Sequence, residues 1–221
     1  MARNKITIWL HRIGYVTTAI VAAELVGLGV LCVGLWNADR KYLAYSLEQT
    51  RTHQGPLIAQ DIRFRPDEFD LLATIPPLNA RSLRFVATPA LRDTWFAFAI
   101  SVPPNGDQAK GILKLFAHPD GQQEALRIKR VVDFSMPKPA ADRLLLDIDR
   151  MTDGWKGDRL GCIDGTGVAF ELSISGKVTS GRGNSACSDH YGAVSLRIQK
   201  SISQLASDDG RPIGKDWRPI S

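Results

Sequence analysis

Residues Tyr15–Trp36 read YVTTAIVAAELVGLGVLCVGLW, and this uninterrupted apolar run constrains the chain more than any other feature. As a helix it rises about 33 Å, enough to cross a hydrocarbon layer of about 30 Å. Tyr15 and Trp36 bracket it, as interfacial aromatics do. A cleaved secretory leader has a shorter apolar core, of roughly 7–15 residues, with small residues before the cut. Here the best cut, after Ala38, places Trp36 at the outer small-residue position, and Cys32 follows Val30-Leu31 rather than a small residue. The run therefore predicts an uncut transmembrane anchor that keeps its amino terminus.

One charge interrupts the span. Glu24 lies near its centre, where an acidic group costs about 2.5–3.5 kcal/mol on insertion scales. At 100° per residue, Thr17, Gly27, Leu31 and Gly34 fall toward its side, and Ala19, Ala23 and Gly27 recur every four residues. Small residues at that step let helices approach closely. The expected intramembrane contact set is Thr17, Ala23, Glu24, Gly27 and Gly34, facing a helix of another transmembrane protein. The competing reading is a protonated Glu24 bonded to its own backbone, or a snorkelling one.

Arg3, Lys5 and Arg12 precede the span, and Arg40, Lys41 and Arg51 follow it, so the positive-inside count is nearly level. The short basic tail over residues 1–14 is expected to stay cytoplasmic, with the following domain outside. Cysteine usage agrees: Cys162 and Cys187 lie in the soluble part near expected strand ends, and disulfides persist outside the cytoplasm. A Cys162–Cys187 bridge is expected, against two unrelated thiols. No Asn-x-Ser/Thr site occurs, as suits a bacterial periplasmic domain.

The formal charge of +5 invites a nucleic-acid partner, but the 28 Lys+Arg and 23 Asp+Glu are interspersed and form no basic stripe. Beyond the anchor, residues 37–80 read as a helical extension ended by Gly55-Pro56, then a proline-rich connector with a short helix near Asp67–Ala73. Residues 81–206 alternate with period two around Leu83–Ala87, Phe96–Val102, Gly111–Ala117 and Leu126–Phe134. An amphipathic helix follows, with Ala141, Leu144, Leu145, Ile148 and Met151 on one stripe. Three strands come next, at Leu160–Ile163, Val168–Ile174 and Val178–Gly181. A last helix spans Asp189–Ala206, with stripe Tyr191, Val194, Ile198, Ile202 and Leu205. Glu171 and Ser173 alternate away from Phe170 and Leu172 and read as solvated. Residues 207–221 read as an irregular tail. The expected architecture is an α+β soluble domain behind a single N-terminal transmembrane helix: an antiparallel sheet of about seven strands with two helices packed on one side.

Chemistry is thinly represented. Gly181–His190 gathers Cys187, Ser188, Asp189 and His190, the ingredients of a nucleophile and base. A structural account competes: Cys187 bridged to Cys162, Ser188 capping the last helix, Asp189 at its positive end, His190 on the surface. The four histidines make no zinc-ligand spacing other than Cys187–His190, and Asp147, Asp149 and Asp153 diverge on a helix. No catalytic, metal or cofactor residues are assigned. Sequence points to a non-catalytic accessory or assembly subunit of a membrane complex, in contact with the lipid bilayer and other transmembrane proteins. Its rival is an anchored ligand- or peptide-binding domain.

Overall fold

The computed structural model describes residues 2–57, 67–90, 94–117, 126–159 and 165–205. The chain divides into two compact units, Met1–Tyr45 and Ser46–Ser221. Helix α1 (Ala2–Thr50) accounts for the first unit and contributes its last turn to the second. It is long and apolar enough to cross a membrane, and the side chains of Ile20, Val21, Leu25, Val30 and Leu35 along it are exposed.

The second unit is α+β. After α1 come β1 (His53–Gln54), α2 (Asp67–Ala73), β2 (Arg81–Pro89), β3 (Thr94–Ser101), β4 (Gln108–Ala117) and β5 (Ile128–Pro137). They are followed by α3 (Lys138–Thr152), β6 (Thr166–Ile174), β7 (Lys177–Asn184) and α4 (Asp189–Leu205). All strand pairs are antiparallel, in the order β1-β7-β6-β2-β3-β4-β5. The seven-stranded antiparallel sheet is as expected, with one exchange of members. Residues 160–164 lie outside the described residues, and the seventh strand is instead β1. The helix stops at Thr50, before Gly55-Pro56, and His53 pairs with Ser180 at the sheet edge. That edge is secured by Gly55 N–H donating to the Val178 carbonyl (2.8 Å) and Ser180 Oγ donating to the Gly55 carbonyl (2.7 Å).

Period two gives the sheet two faces. On the first, Leu83, Phe85, Phe96, Phe98, Leu113 and Phe170 meet the stripes of α3 and α4. Ala141, Leu144, Leu145 and Ile148 of α3 and Tyr191, Val194 and Ile198 of α4 are completely buried there. Pro139 presets the first turn of α3 behind Pro137 at the N-cap, and Gly154, at φ +65°, follows its end. On the second face, Val86, Trp95, Ala97, Ala99 and Ala169 pack under Leu71 and Leu72 of α2 and Ile75 of the connector. Helical cover is therefore on both sides, not on one. The second face also carries charge, and this overturns the solvated reading of Glu171. Its side chain is buried, Arg84 Nη1 donates to Oε2 at 2.6 Å, and Leu57 N–H donates to Oε1 at 3.0 Å. Alternation did point Glu171 and Ser173 away from α3 and α4; the connector then covers that direction, so both are buried.

A β-bulge corrects the reading of β5. Leu115 faces Arg130 but Phe116 faces Ile128, leaving Lys129 as the extra residue. Ile128 and Arg130 thus fall on opposite faces, and simple alternation from Leu126 to Phe134 does not hold.

Candidate functional site

Two polar assemblies stand out in the second unit. The first surrounds the end of α1. Thr50 Oγ1 donates to the Ser46 carbonyl (2.9 Å) and accepts from Asp158 N–H (2.7 Å). Tyr191 Oη donates to the Thr50 carbonyl at 2.5 Å, satisfying an acceptor that the helix end leaves open. Thr52 N–H donates to the Trp155 carbonyl (3.1 Å). Gly157, at φ +95°, lies so close to the helix that an added Cβ would meet the Leu47 carbonyl oxygen at 2.3 Å. Gly183 likewise makes room for the Tyr191 ring. Burial pushes the Tyr191 phenol above its usual range, so its hydroxyl stays a donor.

Ser188 and His190 of the Gly181–His190 stretch lie in this assembly. Ser188 Oγ accepts from Tyr191 N–H (3.1 Å), the expected N-cap of α4, and donates to Asp158 Oδ2. His190 is not a plain surface residue. Its ring stacks on Trp155 at 4.0 Å between centroids and 6° between planes, and meets Tyr191 edge-on at 5.2 Å. Burial holds its pKa below the usual imidazole value, against the opposing pull of Asp158, and its Nε2 has no hydrogen-bond partner. The last helix starts where the sequence places it, and that start turns His190 onto Trp155, a contact made across the fold and invisible in local spacing. Cys162 lies outside the described residues; among the described ones, Cys32 is free and exposed.

The second assembly is a cleft of about 380 Å³ on the sheet face that α2 covers in part. Sheet register builds it. One row across four strands reads Arg84, Ala99, Ile112, Asp133, and the next reads Ser82, Ser101, Lys110, Ser135. The small Ala99 leaves a depression between longer neighbours. Pro76 and Pro77 wall one side. Asn79 fixes the rim: its N–H donates to Ser82 Oγ (2.9 Å) and its side-chain amide donates to Ser101 Oγ. Arg84 gives its guanidinium to Glu171 and the Leu72 carbonyl, so it brings no unbalanced charge. Lys110 and Asp133 remain exposed in the cleft. Sequence reasoning missed the cleft, because its walls come from a connector and four strands whose alignment only the folded sheet fixes.

Toward the opposite end of β2 from the cleft, Glu68 of α2 turns inward against Thr88 of β2 and Gly167 of β6. Thr88 Oγ1 donates to its Oε1 at 3.3 Å, and burial raises its pKa above the usual carboxylate range, opposed in part by Arg182. Among the described residues no group of His, Cys, Asp or Glu is placed to hold a metal ion. In the first unit, Thr17, Ala23, Glu24, Gly27 and Gly34 are all exposed along α1, and nothing approaches the Cβ positions of Gly27 and Gly34. Compared with known proteins, the chain matches no family model, no curated protein and no solved structure.

Proposed function

We propose that this chain is a single-pass membrane protein whose α+β domain lies on the extracytoplasmic side and acts by binding rather than by catalysis. The cleft carries that reading. It is a concave site of small-ligand size with an apolar floor and a few convergent polar groups, whereas Ser188 and His190 are occupied in holding α4 and Trp155. Anchoring is supported by the exposed apolar side chains of α1, which water tolerates poorly over such a length. Arg40 lies 4.5 Å from the centre of the Trp36 ring, a pairing suited to the membrane–water boundary. Filling the cleft tests the reading. Small molecules that raise the melting temperature of the wild type are expected to lose that effect on Ala99→Trp, and ligands that protect both proteins alike would reject the cleft.

A second reading, an accessory subunit of a membrane complex, rests on Glu24 and the small residues beside it. Gentle solubilisation should recover a partner membrane protein with the wild type, and Glu24→Leu should lose it while still inserting. Equal recovery would leave the helix as an anchor alone. The Cys162–Cys187 bridge belongs to the same extracytoplasmic proposal. It predicts that neither thiol is alkylated until a reductant is added.

A further inference from the structure

We infer that the cleft takes a small zwitterion of amino-acid or dipeptide size, its carboxylate held by Lys110 and its ammonium by Asp133. The inference rests on the reading of the cleft as a binding site. Lys110 pairs with Ser135 and Ile112 with Asp133, so Lys110 and Asp133 are diagonal neighbours on adjacent strands of one sheet face. Both line the cleft, and neither side chain makes an ion pair or hydrogen bond. Two other charges on this face, Arg84 and Lys114, are already engaged. Arg84 is bonded to Glu171, and Lys114 donates to the Thr74 carbonyl under the connector.

Among the described residues, the cleft thus offers one free cation, Lys110, and one free anion, Asp133, over an apolar floor. A ligand of single charge would satisfy one and leave the other facing it with like charge. A ligand carrying both charges meets both. Its apolar body has Ala99, Ile112 and the two prolines to rest on, and prolines present no N–H donor that would need a partner. Asn79 hydrogen-bonds both Ser82 and Ser101 and so holds the rim in place before any ligand arrives. The plain alternative is that Lys110 and Asp133 are a solvated cross-strand pair with no ligand.

The test uses the full-length protein in detergent micelles and calorimetric titration with the dipeptide leucyl-alanine, its N-acetyl form and its C-terminal amide. The free dipeptide is expected to bind. Acetylation, amidation, Lys110→Ala and Asp133→Asn should each weaken it about tenfold or more, as loss of a charge-assisted hydrogen bond does. Acetylation should cost nothing further on Asp133→Asn, and amidation nothing further on Lys110→Ala. Failure of the free dipeptide to bind overturns the inference, as does binding of the capped forms with equal strength. If the capped forms bind and Ala99→Trp abolishes them, the cleft is a binding site for a different ligand. If small molecules protect Ala99→Trp and wild type alike, the reading beneath the inference fails as well.

Discussion

The two faces of the sheet are built from the same strands and differ in what they ask of their cover. The α3–α4 face has a hydrocarbon and aromatic core, with the Arg81–Asp142 ion pair at its margin, and two amphipathic helices close it. The α2 face mixes alanines with Arg84, Glu171, Lys114 and Arg182, and is closed by one short helix and a connector. A dry apolar face is closed by packing alone. A face with charges needs a partner for each one it buries, and where the cover falls short it leaves a cleft. The difference puts the larger apolar core on one side of the sheet and the cleft on the other.

The sharpest break of this contrast is a cavity on the apolar side. Phe170 is 1% exposed and packs against Tyr191. Phe170→Ala is expected to lower unfolding stability by about 4 kcal/mol, read by denaturant titration. On the charged side the matching experiment removes a partner instead of a shape. Glu171→Ala leaves the Arg84 guanidinium under the connector unpaired and should cost about 3 kcal/mol. Replacing both, as Arg84→Met with Glu171→Leu, should recover most of it, since an apolar pair of similar volume substitutes well for a buried ion pair. If the double variant were no better than the single, the contrast between the faces would need redrawing.

Smaller effects separate the sides further. Tyr191→Phe keeps the ring and deletes the hydroxyl with its bond to the Thr50 carbonyl, for about 1 kcal/mol. Protonation distinguishes them in sign. His190 has a depressed folded pKa, so its contribution is present above the unfolded imidazole value and is lost as pH falls through the folded one. Glu68 has a raised folded pKa, so its contribution is present below the unfolded carboxylate value and is lost as pH rises through the folded one. Glu68→Gln should therefore raise the denaturant midpoint at neutral pH and remove the fall in stability that sets in as pH rises above the unfolded carboxylate value. His190→Gln should flatten the acid side only. A profile that neither variant changes would show that burial at these two groups does not govern the pH response.

The stripes of α3 and α4, the Ser188 cap and the alternation of β2 and β3 were legible in the sequence, because each depends on neighbours within one or two turns or along one strand. Glu171 and His190 were misread for a single reason. Alternation and helix position gave the direction of each side chain, but not what lay there. Glu171 points away from α3 and α4 and meets the connector; His190 lies in the first turn of α4 and meets Trp155, thirty-five positions earlier in the chain.

By itself, the sequence determined that this chain begins with a helix of membrane-spanning length carrying one acid, and that an antiparallel α+β unit with two amphipathic helices follows. Local periodicity and apolar length suffice for that, since they fix which face of each element avoids water. Tertiary structure alone decided which surfaces those faces met. It set His53–Gln54 at the sheet edge, placed an extra residue in β5, buried the Arg84–Glu171 pair, and aligned Pro76, Ala99, Lys110 and Asp133 around one cleft. Each of these joins residues far apart in sequence, and register, which slips by whole residues without changing local periodicity, is fixed only when all the strands pack together.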